Sequence, residues 1–93
     1  MPTYGTLVGM NVPSDVVKKV TKVITDVIEE QPTVPLIPAQ RLEDLGVAQL
    51  DRIEITMRLE ELLHIQIDDT RFEKLETIAD IALYIHELIK ANQ

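Results

Sequence analysis

Ninety-three residues, 45% hydrophobic and 27% charged, make one small domain with a single core, and with only Tyr4, Phe72 and Tyr84 as aromatics that core must be built from Val, Ile, Leu and Met. The net charge of −7 sits in the second half: residues 41–93 hold twelve acids against six Lys/Arg, and residues 1–40 hold four acids against three Lys. Such a surface repels nucleic-acid phosphates and anionic lipids and points to a basic protein partner.

There is no cysteine, so disulfide, thiolate and Cys-zinc chemistry are excluded. No apolar run approaches the ~20 residues of a membrane span, and the start shows no signal-peptide pattern. The expectation is a cytoplasmic monomer without nucleic-acid binding or membrane insertion.

Residues 1–13, with two Gly, two Pro and no helical period, read as an N-terminal arm ordered only if something holds it. The domain proper is expected over 14–93. Ser14 after Pro13 suits an N-cap, and Val16, Val17, Val20, Val23, Ile24, Val27 and Ile28 recur at spacings of three and four, which predicts a helix to about Glu30. Its β-branched residues lower helix propensity by about a few tenths of a kcal/mol each, but length and period favour helix over strand. Lys18, Lys19, Lys22, Asp26 and Glu29 fall off this stripe and read as a solvated face.

Pro32, Pro35 and Pro38 exclude a continuous helix over 31–45. Val34, Leu36, Ile37, Leu42 and Leu45 let this long connection lie across the core. Gly46 then permits a sharp turn into a second helix running to Leu63. At about 100° per residue, Ile55, Leu59, Leu62 and Leu63 gather on one side of it, with Leu50, Ile53 and Met57 nearly opposite. Asp51, Glu54, Arg58 and Glu61 fill the arc between. One side suits a core and the other a partner. A merely solvated acidic face is the ordinary reading of such charges, weakened here because Leu50 and Met57 lie beside them.

Ile65-Gln66-Ile67 reads as an extended connector that drops two side chains into the core. Asp68 or Asp69 can cap a short helix through Lys74, and Thr77 with Asp80 forms a capping box before the stripe Ile78, Ile81, Ala82, Ile85, Leu88 and Ile89, which ends near Ala91. His64 reads as the cap of a helix end and His86 as solvent-facing; 22 positions apart and without Cys, they suggest neither a metal site nor a triad. Asp68-Asp69 lacks EF-hand spacing. The fold class is all-α, with three long helices and one short.

The run Leu45-Gly46-Val47-Ala48-Gln49-Leu50-Asp51-Arg52-Ile53-Glu54, followed by Met57-Arg58-Leu59-Glu60-Glu61, resembles the core signature of acyl carrier proteins. Ile65-Gln66-Ile67, Asp69, Glu73-Lys74-Leu75 and Thr77-Ile78-Ala79-Asp80 resemble the family's later segments at the same spacing, and the similarity covers about residues 14–90. It implies a four-helix bundle with a long Pro-containing first loop. It also implies a non-enzymatic role in fatty-acid, polyketide or related biosynthesis.

Family members carry Asp-Ser-Leu at the start of helix two, with 4′-phosphopantetheine on the serine; here the positions are Ala48-Gln49-Leu50. A glutamine carboxamide is a very poor nucleophile, so no cofactor is expected unless the serine is restored. Ser14 is far from the loop and Thr56 about two turns into the helix, so neither substitutes. The resemblance assigns partner binding to Leu50, Asp51, Glu54, Met57, Glu60 and Glu61, facing a basic surface on a synthase, transferase or ligase. Arg52 and Arg58 depart from the family's acidic or small residues, so partner choice is expected to differ.

Three readings stay open: a carrier-like protein that docks without the group, a genuine acyl, peptidyl or aminoacyl carrier whose serine has been replaced, and a small structural or oligomeric helical protein. Loss of the preceding Asp together with the Ser favours the first over the second, because a deliberate knockout changes one residue.

Overall fold

The computed structural model describes residues 13–28 and 36–91. The arm expected over 1–13 lies outside the described residues apart from Pro13, as do Glu29, Glu30, Pro32, Val34 and Pro35. The described residues form four helices in order, α1 Ser14–Val27, α2 Gln49–Leu63, α3 Asp69–Phe72 and α4 Ile78–Ala91, with a 3₁₀ turn, Glu43–Leu45, ahead of α2. Three are long and one is short, as the apolar spacing predicts, and the described residues contain no strand.

In α1, Val16, Val20, Val23 and Ile24 are buried, with Ile28 just beyond the end. Their β-branched side chains are poor helix formers, but burial against the other helices outweighs the propensity deficit. Two boundaries differ from expectation. Ser14 is the first helical residue and makes no side-chain cap; Pro13 stands at the cap position, its carbonyl accepting from the N–H groups of Val16 and Val17 at 3.1 and 3.2 Å. The helix stops at Val27 and not near Glu30, because Ile28 turns to an extended conformation at φ −73°, ψ 142°.

The connection to α2 is bound to the start of α4. Leu42 N–H donates to the Glu76 carbonyl at 2.9 Å, Ile78 N–H to that of Gln40 at 3.0 Å, and Ala79 N–H to that of Pro38 at 2.8 Å. These bonds satisfy backbone groups that an irregular segment would otherwise leave exposed. Leu42 is fully buried and Leu36 and Leu45 pack against the core, whereas Ile37 is exposed. Gly46 takes a left-handed φ of 75° after the 3₁₀ turn, the conformation that favours glycine.

The core face of α2 differs from the expected stripe. Ile55 and Leu59 are buried, but Leu62 is 53% exposed and Thr56 takes a core position. The buried arc is turned from Leu59 towards Thr56 and Leu63, which leaves Leu62 on the flank beside α1. Thr56 is tolerated there because its hydroxyl donates to the Arg52 carbonyl at 2.9 Å. The helix begins at Gln49, three residues after Gly46.

His64 closes α2 in a left-handed conformation, φ 56° and ψ 50°, a terminus usually given to glycine. Ile65 and Ile67 then enter the core from the extended connector, as expected. Asp68 caps α3 by accepting from Thr70 and Arg71 N–H, and the helix ends at Phe72, short of Lys74. Thr77 and Asp80 make the reciprocal capping box: Asp80 N–H donates to Thr77 Oγ1 at 3.0 Å and Thr77 N–H to Asp80 Oδ2 at 3.1 Å.

Along α4, Ile78, Ile81, Ala82 and Ile85 are buried, joined by Tyr84, whose hydroxyl accepts from Asp68 N–H at 2.9 Å. His86, expected to face solvent, is half-buried. Among the described residues no buried side-chain polar atom lacks a partner, and no helix is long and apolar enough to cross a membrane.

Candidate functional site

The start of α2 is built from Ala48, Gln49 and Leu50. Ala48, extended at φ −90° and ψ 174°, donates its N–H to Asp51 Oδ2 at 3.0 Å. Alanine has no side-chain acceptor to return the bond, so Asp51 supplies half of a capping box and its negative charge also suits the positive end of the helix. Gln49 Nε2 donates to Glu73 Oε1 at 3.2 Å, and Arg52 Nη1 donates to the Phe72 carbonyl at 3.1 Å. Both bonds tie the first turn of α2 to the end of α3. Neither is visible in sequence, because the partners lie 24 and 20 residues apart.

Outward from the core, Leu50, Ile53 and Met57 are 77%, 51% and 60% exposed. With Glu54, Arg58 and Glu61 they line a shallow depression. Arg58 clasps Glu54 through Nε and Nη2 at 3.1 and 2.8 Å, an i,i+4 pair worth about 0.3–0.5 kcal/mol at an exposed site. Glu61 is exposed and makes no ion pair among the described residues.

The six residues expected to meet a partner therefore divide. Leu50, Glu54, Met57 and Glu61 lie together on the outer face. Asp51 is half-buried and engaged as a cap. Glu60 lies on the far flank, where its carboxylate accepts from Ile67 N–H at 2.9 Å and holds the connector after α2. Ile53 and Arg58 complete the face instead; Ile53 was readable from its place opposite the core stripe, and Arg58 from its spacing to Glu54.

No hydroxyl stands between Val47 and Ile55. The first one downstream, on Thr56, is buried and already committed to the Arg52 carbonyl. The start of α2 can present apolar and acidic groups to another surface. It offers no hydroxyl.

The acyl carrier protein of Campylobacter curvus is 41% identical over 71 residues, spanning 72% of this chain and 92% of that protein. The family model described as the phosphopantetheine attachment site matches residues 18–85. This chain belongs to the acyl carrier protein family. Its fold is likewise that of solved acyl carrier proteins. The crystal structure from Thermotoga maritima superposes with a TM-score of 0.74 at 14% identity, covering 86% of this chain and 93% of that one. The solution structure of the acetyl actinorhodin acyl carrier protein from Streptomyces coelicolor gives 0.70 at 18% identity, covering 92% and 100%. Members of this family are carriers and not enzymes, and they interact with biosynthetic enzymes.

Proposed function

We propose that this acyl carrier protein relative works in the cytoplasm by non-covalent docking of α2 to a biosynthetic enzyme and carries no 4′-phosphopantetheine. The observation that carries this reading is Gln49. It occupies the position that the family resemblance assigns to the attachment serine, and its carboxamide is held by Glu73 at 3.2 Å. Attachment needs an oxygen nucleophile able to attack the pyrophosphate of coenzyme A. Thr56, seven residues further on and therefore about 10 Å along the helix, has its hydroxyl buried in the core. The residues present do not fit the prosthetic group.

The outer face keeps what docking needs. Leu50, Ile53 and Met57 supply exposed apolar surface, and Glu54 and Glu61 supply negative charge, which suits a basic patch on a synthase, transferase or ligase. Incubation with coenzyme A and a broad-specificity phosphopantetheinyl transferase, followed by intact-mass measurement, is expected to leave the mass unchanged. A gain of one prosthetic group overturns the reading.

The 41% identity to a carrier favours a second reading, a true carrier whose attachment residue has been replaced. Restoring Ala48→Asp and Gln49→Ser distinguishes the two. Efficient loading of the double variant supports the replaced carrier, and failure to load supports a surface that has diverged from the modifying enzyme.

A further inference from the structure

Beside the outer face of α2 runs an open groove of about 630 Å³ between α1 and α2. Val23 and Leu62 give it an apolar lining, and Lys18, Lys19 and Lys22 border it. The lysine positions that read as a plain solvated face in the sequence are thus set beside the exposed side chain of Leu62. Arg58 and Glu61 border both this groove and the depression over Leu50, Ile53 and Met57, so the two features are contiguous.

The groove has a charge opposite to that of the chain. Four cations line it against Asp26 and Glu61, in a protein of net charge −7. Lys22 pairs with Asp26 at 3.3 Å and Arg58 with Glu54 at 2.8 Å, while Lys18 and Lys19 make no ion pair among the described residues. An occupant must therefore be acidic as well as apolar.

The adjoining ridge has those properties. Leu50, Ile53 and Met57 project from it, with Glu54 and Glu61 between them. Together with Leu62 they account for four of the six large hydrophobic residues exposed among the described residues, so the uncovered apolar surface is concentrated here. An acidic apolar ridge next to a basic apolar groove is self-complementary about a two-fold axis: the ridge of each copy enters the groove of the other, and the contact closes.

We propose that this chain forms a symmetric homodimer through its α1–α2 surface. Leu50, Ile53 and Met57 of each copy pack on Leu62 of the other, over the groove floor at the buried Val23, and Glu54 and Glu61 face Lys18 and Lys19. This replaces the monomer expected from the sequence. Two copies of charge −7 repel at long range, so association is read at physiological ionic strength, where a screening length of about 8 Å removes most of that repulsion but leaves contact pairs in place. The ridge is also the face proposed to meet an enzyme, so dimer and enzyme complex exclude each other. Sedimentation and coenzyme A loading report different properties, and either proposal can fail alone.

Sedimentation equilibrium over rising protein concentration is expected to show an average mass climbing from 10.6 kDa towards twice that value. The variants K18E/K19E and E54K/E61K should each remain monomeric, since each places like charges across both halves of the contact. An equimolar mixture of the two should recover the dimer, because the reversed groove of one variant then meets the reversed ridge of the other, and the unreversed ridge of the first meets the unreversed groove of the second. Thermal melts followed by circular dichroism check that both variants fold. A wild type that stays monomeric throughout, a K18E/K19E variant that dimerises like wild type, or a mixture that stays monomeric overturns the proposal. The first of these is also the outcome if the groove serves an acidic helix of another protein.

Discussion

Gln49 and Glu73 meet across the gap between α2 and α3, carboxamide to carboxylate at 3.2 Å, at the point where the family resemblance places the attachment site. Both side chains are exposed, so the bond competes with water and contributes about 0.5–1 kcal/mol at most. Gln49→Ala is expected to lower global stability by less than about 1 kcal/mol in urea denaturation. Amide exchange should quicken over residues 70–74, where α3 loses one of its two ties to α2. Unchanged exchange there would show that α3 is held without this bond, by the Arg52–Phe72 bond, the buried Phe72 ring and the Tyr84–Asp68 contact.

The revised register of α2 makes a paired prediction. Leu59 is fully buried and Leu62 is 53% exposed. Leu59→Ala should cost about 2–5 kcal/mol through lost burial and the cavity left behind, a large share of the roughly 5–15 kcal/mol that holds a domain folded. Leu62→Ala should cost under about 1 kcal/mol, since a half-exposed side chain leaves no closed cavity. Equal losses for the two variants in denaturant midpoints would restore the stripe predicted from the sequence.

Two positions at the ends of helical turns should respond in opposite directions to small changes. His64 sits at φ 56° without the freedom of glycine, so His64→Gly should stabilise by up to about 1 kcal/mol by removing left-handed strain. Gly46 sits at φ 75°, and a Cβ there would meet nothing within 4 Å. Gly46→Ala should therefore destabilise by about 1–2 kcal/mol for backbone reasons alone. Melting temperatures of the two variants, shifted up and down from wild type, are the check.

The caps of α3 and α4 can be ranked by what each holds. Asp80 accepts from Glu76 and Thr77 N–H, both at 3.1 Å, at the start of a fourteen-residue helix. Asp68 accepts from Thr70 and Arg71 N–H at the start of a four-residue one. Each change to Ala should cost about 0.5–2 kcal/mol. Only Asp80→Ala is expected to fray the segment that also receives the loop carbonyls of Pro38 and Gln40. Helix content from far-ultraviolet circular dichroism should fall for Asp80→Ala and hold for Asp68→Ala.

Sequence alone determined the number, order and approximate limits of the helices, because apolar side chains at three- and four-residue spacing must share one side of a helix wherever it lies. It also determined the Thr77–Asp80 box, whose partners lie within one turn, and narrowed the cap of α3 to Asp68 or Asp69, of which the structure chose Asp68. The absence of any hydroxyl at the start of α2 follows from residue identity and needs no coordinates. What the tertiary structure decided was which flank of each amphipathic helix its neighbours cover. That placed Thr56 inside and Leu62 outside, drew Glu60 back to the Ile67 amide, and brought Tyr84 against Asp68. It also set the lysines of α1 beside the outer face of α2. Each of these rests on residues far apart in the chain or on how a helix is rotated against its neighbours, and the period of a helix carries information about neither.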